Sequence, residues 1–157
     1  LGTIDVTTCK LDSLNHLPAL ADVQRVFDRV SLFAQPGGLF IFDMNTVYKH
    51  QNILGNNVFL YDLENVFCTW ENRLQKDGET VEMQLTFFEK EEGGWQRSDD
   101  FITERAYPFP AVISALADAG LEMVGMFDAD KGLQVPEKLC PVTETTERIL
   151  YVAKKPL

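Results

Sequence analysis

Leu39-Phe40-Ile41-Phe42 is a run of four large apolar residues closed abruptly by Asp43. It lacks the alternation of a strand with one wet face. Such a run suits a strand covered on both faces, as in parallel sheets, and a parallel neighbour requires a crossover connection. The parts for one lie just upstream. Ile4-Asp5-Val6-Thr7-Thr8-Cys9 is a short β-rich segment that runs into a polar turn, Asp12-Ser13-Leu14-Asn15. Between Ala21 and Ala34, the residues Val23, Val26, Phe27, Val30 and Phe33 recur at spacings of three and four and form one helical face. Pro36-Gly37-Gly38 reads as the stop for that helix. Strand, helix and strand in this order predict one right-handed βαβ unit.

The middle of the chain follows a different pattern. No good helix is legible from Val58 to Arg105. Val66 to Trp70 and Val81 to Phe88 are β-rich, with turn signals at Lys76-Asp77-Gly78-Glu79 and Glu92-Gly93-Gly94. Together with Trp95 to Arg105 they predict an antiparallel meander of about three strands. The last third returns to α/β. Pro110 to Ala119 carries Val112, Ile113, Leu116 and Ala117 on one face, with Gly120 placed as the C-terminal cap residue. Leu121 to Phe127 and Arg148 to Ala153 read as strands separated by a loop around Pro136 and Pro141. The expected organisation is a βαβ part over 1–57, an antiparallel insertion over 58–106, and a helix with strands over 107–157.

Composition narrows the function classes. The 157 residues carry 14 basic and 24 acidic side chains, a net charge of −10, and no basic run longer than Lys154-Lys155. A phosphate backbone requires clustered Lys and Arg, so no nucleic acid is expected as a partner. No stretch reaches the ~20 apolar residues that span a bilayer, so no membrane is expected either. Cys9, Cys68 and Cys140 form no CxxC pair or Cys/His cluster, and no metal site is predicted. An odd count at wide spacings fits thiols in a reducing cytosol, hence a cytoplasmic location. The chain opens on Leu1 with a strand that has no hydrophobic partner upstream, which reads as a boundary within a longer protein.

Three stretches resemble a bacterial family of class I S-adenosylmethionine-dependent methyltransferases. Ile4 to Leu17 is similar to a strand followed by the family's Asp-Ser-x-Asn-Tyr loop, with His16 where Tyr is usual. Pro36-Gly37-Gly38-Leu39-Phe40-Ile41-Phe42-Asp43-Met44-Asn45-Thr46 looks like its Pro-Gly-Gly turn and fifth strand. Glu104-Arg105-Ala106-Tyr107, a helix ending in Ala-Gly, and Thr146-Glu147-Arg148-Ile149 complete the likeness. The resemblance implies an α/β fold: the C-terminal part of a Rossmann-like sheet in the order 3-2-1-4-5-7-6, with strands 4, 5, 7 and 6 present and an inserted meander as substrate cap. It also implies that strands 1 to 3, the glycine-rich loop and the acidic residue that grip the cofactor lie upstream.

Methyl transfer from a sulfonium needs alignment and exclusion of water, with a base only where the acceptor must lose a proton. On the resemblance, Asp12, Ser13 and Asn15, with Cys9 and Leu11 beside them, would bind the methionine side of the cofactor at the carboxyl ends of the strands. The other reading is a turn whose Asx side chains satisfy backbone groups. His16 and Asp43 are the catalytic candidates: His16 as a proton acceptor or a packed loop histidine, Asp43 as an acceptor contact or a helix cap. Asn45, Trp70, Glu104, Arg105 and Tyr107 are candidates for acceptor binding; Trp70, Glu71, Phe87, Phe88, Trp95 and Tyr107 could line a cap, against a core role in the meander, and Glu104 with Arg105 could instead be a surface pair. The four methionines read as packing.

The expected function is methyl transfer from S-adenosylmethionine to a small-molecule acceptor by the longer protein. The chain alone is expected to be inactive, to bind the cofactor weakly or not at all, and to self-associate through the exposed strand near Thr3 to Thr8. The competing reading is a non-catalytic ligand-binding or protein-interaction module of the same fold, or an inactive scaffold homologue.

Overall fold

A computed structural model describes residues 2–134 and 139–157. The Pro136 portion of the predicted loop lies outside the described residues. Two four-stranded sheets are present, one in the order β1-β2-β8-β7 and one in the order β3-β4-β5-β6.

The first sheet begins with β1 (Ile4–Cys9) and β2 (Ala34–Asn45), which pair in parallel across the crossover helix α1 (Leu20–Phe33). This is the βαβ unit that the Leu39–Phe42 run requires. β8 (Arg148–Lys154) lies antiparallel beside β2, and β7 (Glu122–Asp128) lies antiparallel beside β8 at the edge. The helix α2 (Phe109–Asp118) precedes β7. It closes with Gly120 at φ +74, the Gly120 N–H on Ala117 O at 2.9 Å and the Leu121 N–H on Leu116 O at 2.9 Å, a Schellman cap. A short helix α3 (Ala129–Gln134) follows β7.

Several expectations are corrected. Pro36-Gly37-Gly38 does not stop α1; the helix ends at Phe33, and the Pro-Gly-Gly segment is already part of β2. Gly38 is needed there because a Cβ would lie 2.9 Å from the carbonyl oxygens of Ile4 and Gln35, at an irregularity in the β1–β2 register. Phe33 is exposed rather than facing the core, and Ala115 rather than Ala117 is buried on α2.

The second sheet is a four-strand antiparallel meander, one strand more than expected: β3 (Val58–Asp62), β4 (Val66–Leu74), β5 (Thr80–Glu91) and β6 (Gly94–Arg105). β3 alternates poorly, with Val58, Leu60 and Tyr61 all exposed, so its sequence carries little strand signal. A π-helical turn, Lys49–Leu54, links β2 to β3 and packs His50 and Leu54 beneath the meander.

The main core joins α1 and α2 to one face of the first sheet. Phe42 is its centre. Its ring lies 4.6 Å from Phe40 and 4.8 Å from Tyr151, both stacked, and 5.3 Å from Phe27 of α1. A smaller core of Leu54, Val81 and Met83 lies under the meander, with Trp70 and Phe59 against it. We expect Phe42→Ala to cost about 3–5 kcal/mol in urea denaturation, because it opens a cavity among rings that cannot collapse into it. A loss below about 1 kcal/mol would contradict this packing.

Candidate active site

The carboxyl ends of β1 and β2 point the same way, and the chain leaves β1 in an unusual conformation. Leu11 (φ 59) and Asp12 (φ 48) both adopt left-handed backbone geometry, which non-glycine residues avoid and which clusters at functional sites. The turn that follows, Ser13–His16, is a 3-10 helix that buries Leu14 and Asn15. Ser13 takes the bland role: its hydroxyl donates to Lys10 O at 2.6 Å and stays exposed.

Asn15 and Asn45 form an interlock. The Asn15 Oδ1 accepts the Asn45 N–H at 2.9 Å, and the Asn15 Nδ2 donates to Asn45 O at 3.2 Å and to Arg105 O at 2.9 Å. One buried carboxamide thereby joins the end of β2 to the end of β6. The Asn45 side chain is equally committed. Its Nδ2 donates to Asp12 Oδ2 at 2.6 Å and to Glu104 Oε2 at 3.1 Å, and its Oδ1 accepts from Lys49 Nζ at 3.0 Å.

Around this centre lie Asp12, His16, Glu104 and His50. Asp43 supports the loop from below: its Oδ1 accepts the Asp12 N–H at 2.9 Å, and its Oδ2 lies 3.7 Å from Arg148. Glu104 is buried, with Oε1 at 3.9 Å from Nε2 of exposed His16 and Oε2 at 3.6 Å from Nε2 of fully buried His50. The His50 Nδ1 lies 2.6 Å from Glu79 O. Donor atoms of Asp12, His16 and Glu104 fall within 4.8 Å of one another. The Asn45 amide already bridges both carboxylates, so this group holds together without an ion.

The two carboxylates are electrostatically unequal. Burial, and next the charge of Glu104, push the Asp12 carboxyl above the ordinary aspartate range, against the Asn45 hydrogen bond and the charges of Lys49 and His16. Burial alone would raise Glu104 as well, but the contacts from His50 and Asn45 and the charges of His16 and His50 outweigh it and hold that carboxyl below the usual range. The 3.6 Å His50 contact exceeds hydrogen-bond length, so the Asn45 amide is the firmer of these two partners. Environments that push two acids apart in this way assign them different protonation roles.

The other predicted residues fall away from this cluster. Arg105 turns outward, pairing with Glu79 at 3.0 Å and lying 5.4 Å over the Tyr107 ring. The Tyr107 hydroxyl donates to Leu17 O at 2.5 Å, and its ring belongs to the main core. Trp70 packs on Phe59 at 5.3 Å in the smaller core. Trp95 is exposed, and Phe88 packs on Phe67. Met44 and Met83 are buried, and Met123 and Met126 pack against the main core. Cys9 is half-buried, its thiol raised by burial and by Asp43. Leu11 projects into a cleft of about 340 Å³ bounded by Lys10, Asp43, Asp128 and Arg148, which adjoins the cluster through the Asp12–Asp43 contact. Lys49 and His50 were invisible in the sequence, because the turn that carries them has no periodicity and its residues face a meander whose register only the fold supplies.

No protein-family profile matches the chain. A Geobacillus sp. (strain WCH70) protein provisionally named a methyltransferase is 29% identical over 155 residues, which are 98% of this chain and 60% of that protein. A solved S-adenosylmethionine-dependent methyltransferase from Clostridium acetobutylicum is 33% identical, superposes with a TM-score of 0.87, and is matched over 99% of this chain and 60% of its own. The solved amino pentose methyltransferase CalS10 from Micromonospora echinaspora shares the fold with a TM-score of 0.72 at 19% identity, over 98% of this chain and 59% of its own. The chain thus spans about three-fifths of the length of these relatives.

We expect Asn15→Ala to destabilise the chain by about 3 kcal/mol in urea denaturation, since it leaves the Asn45 N–H and two carbonyls unpaired in a buried place. A change within 1 kcal/mol would show that the interlock is not structural. In sequence and in fold, the chain is similar to S-adenosylmethionine-dependent methyltransferases over about three-fifths of their length.

Proposed function

We propose that this chain forms the acceptor-facing part of an S-adenosylmethionine-dependent methyltransferase, and that the cluster around Asn45 lies at the methyl-transfer point. The observation that carries this reading is the left-handed Leu11-Asp12 turn leading into a buried polar cluster at the carboxyl ends of two parallel strands, where ligands of open α/β sheets bind. In the full seven-strand order, β1, β2, β8 and β7 would be strands 4, 5, 7 and 6. Asp12 and the cleft by Leu11 would face the methionine side of the cofactor, and Glu104 and His16 would face the acceptor. The meander would cap the acceptor.

A small-molecule acceptor fits a sequence with no basic cluster. Acceptors of that class are named for the amino pentose enzyme and for a sugar N-methyltransferase of Streptoalloteichus. Among the described residues no helix is long and apolar enough to cross a membrane, and a cytoplasmic location fits the thiols of Cys9 and Cys68.

The cofactor grip belongs to strands outside this chain, so the chain alone should neither bind S-adenosylmethionine tightly nor turn over. Isothermal calorimetry should give micromolar affinity for a protein extended upstream through a glycine-rich strand-loop-helix and none for the 157 residues. Micromolar binding by the chain alone would contradict the assignment and favour the ligand-binding module. The outer edge of β1 has no partner among the described residues, and Ile4 and Val6 are 41% and 51% exposed there. Sedimentation should show the chain as a dimer or larger, joined near Thr3 to Thr8; a monomer at millimolar concentration would count against it.

A further inference from the structure

His50 presents an unresolved valence. It is fully buried, and its Nδ1 faces Glu79 O at 2.6 Å. A carbonyl oxygen only accepts, so Nδ1 carries the proton and neutral His50 turns a bare nitrogen, Nε2, toward Glu104. Nε2 has no hydrogen-bond partner, and Glu104 Oε2 lies 3.6 Å away. With Glu104 ionised, two acceptors face each other in a place closed to water. Leaving a buried polar atom unpaired is unfavourable. Exactly one proton placed between Oε2 and Nε2 would satisfy both atoms.

The opposite oxygen, Oε1, faces exposed His16 at 3.9 Å, beyond hydrogen-bond length. Glu104 therefore has an inner face closed by His50 and Asn45 and an outer face toward the side from which an acceptor would enter. We propose that Glu104 is the proton acceptor of the methyl-transfer reaction and that His50 is its positioning residue, the two forming a site that takes up a single proton. This rests on the functional reading above.

The step balances without any further reagent. A lone pair on the acceptor nitrogen or oxygen forms the new bond to the methyl carbon, and the carbon–sulfur pair returns to sulfur. The acceptor's proton passes to the Glu104 carboxylate. A half-turn of the carboxyl about Cγ–Cδ then brings that proton to face Nε2. The acceptor class follows: an amine or hydroxyl bearing at least one hydrogen, and not a tertiary amine or a thioether. The groups that face the dyad are Asp12, His16 and, through the Asn45 amide, Lys49; on the meander side it is the Glu79 carbonyl, whose own carboxylate is held by Arg105.

The test is nitrogen NMR of the His50 ring in the 157-residue chain between pH 5 and 9. On the unsubstituted chain, the neutral ring should carry its proton on Nδ1, and Nε2 should give the resonance of a nitrogen without a proton. Glu104→Gln should move the Nε2 resonance and leave the Nδ1 proton in place, since an amide N–H that can donate to Nε2 replaces an oxygen that cannot. A neutral ring protonated on Nε2, or an Nε2 resonance unmoved by Glu104→Gln, overturns the proposal. In the extended protein, Glu104→Gln should lower kcat by about 10²–10⁴ and leave cofactor affinity unchanged; turnover within threefold of the unsubstituted enzyme also overturns it. Intact coupling in a protein that transfers no methyl group would instead overturn the functional reading.

Discussion

Past Cys9 the first sheet has no strand to lie beside Asn45, and a buried backbone N–H and C=O left without partners would not persist. The Asn15 carboxamide takes the place of that strand. It returns both hydrogen bonds to Asn45 and extends a third to Arg105 at the end of the meander. The remaining features follow from this one contact. The chain can reach the position only by leaving β1 through two left-handed residues, which sets the Asp12 carboxylate over the end of β2. With the Asn45 backbone occupied by Asn15, its side chain is free to bridge Asp12 and Glu104. The two sheets are thus joined at the point where their acidic groups meet.

That junction places opposed demands on the two acids. Asp12 is buried near a like charge and shifts toward the neutral form, whereas the Asn45 amide and the positive charge that His16 and His50 carry when protonated outweigh burial and shift Glu104 toward the ionised form. A single site therefore holds one acid shifted toward its protonated form beside one held ionised, with lone pairs open to a donor. Methyl transfer from a sulfonium asks little more of a protein than alignment, dryness and a place for a proton. On the proposed reading, the first of these is shared with a cofactor grip upstream, and the last is supplied by Glu104.

Much of the frame was legible in the residues. The Leu39–Phe42 run required a parallel partner, and Gly120 marked its helix end through a left-handed requirement that few other residues meet. Asp12, Asn15, Asn45 and Glu104 were each singled out, because they fall at strand ends in a pattern shared with known methyltransferases. What the sequence did not show was which of them touch. Arg105 and Glu104 are adjacent, yet strand alternation sends one out to Glu79 and the other in toward Asn45. Tyr107 looked like an acceptor contact, and its hydroxyl is taken by the Leu17 carbonyl. His50 had no signal at all. Its place depends on a π-helical turn closed by the Gly55 N–H on its own carbonyl, and on a carbonyl 29 positions away in the chain. Local pattern cannot encode a contact of that range.

The central claim is that the Asn45 cluster is the methyl-transfer point, and the most direct test is a crystal structure of the protein extended upstream with S-adenosylhomocysteine bound. The cofactor sulfur should point at the Glu104 carboxylate with room between them for one transferred methyl and one acceptor atom, a chain of contacts of about 3 Å each. A sulfur directed away from Glu104, or separated from it by the main-chain of the Asp12–His16 turn, would contradict the account.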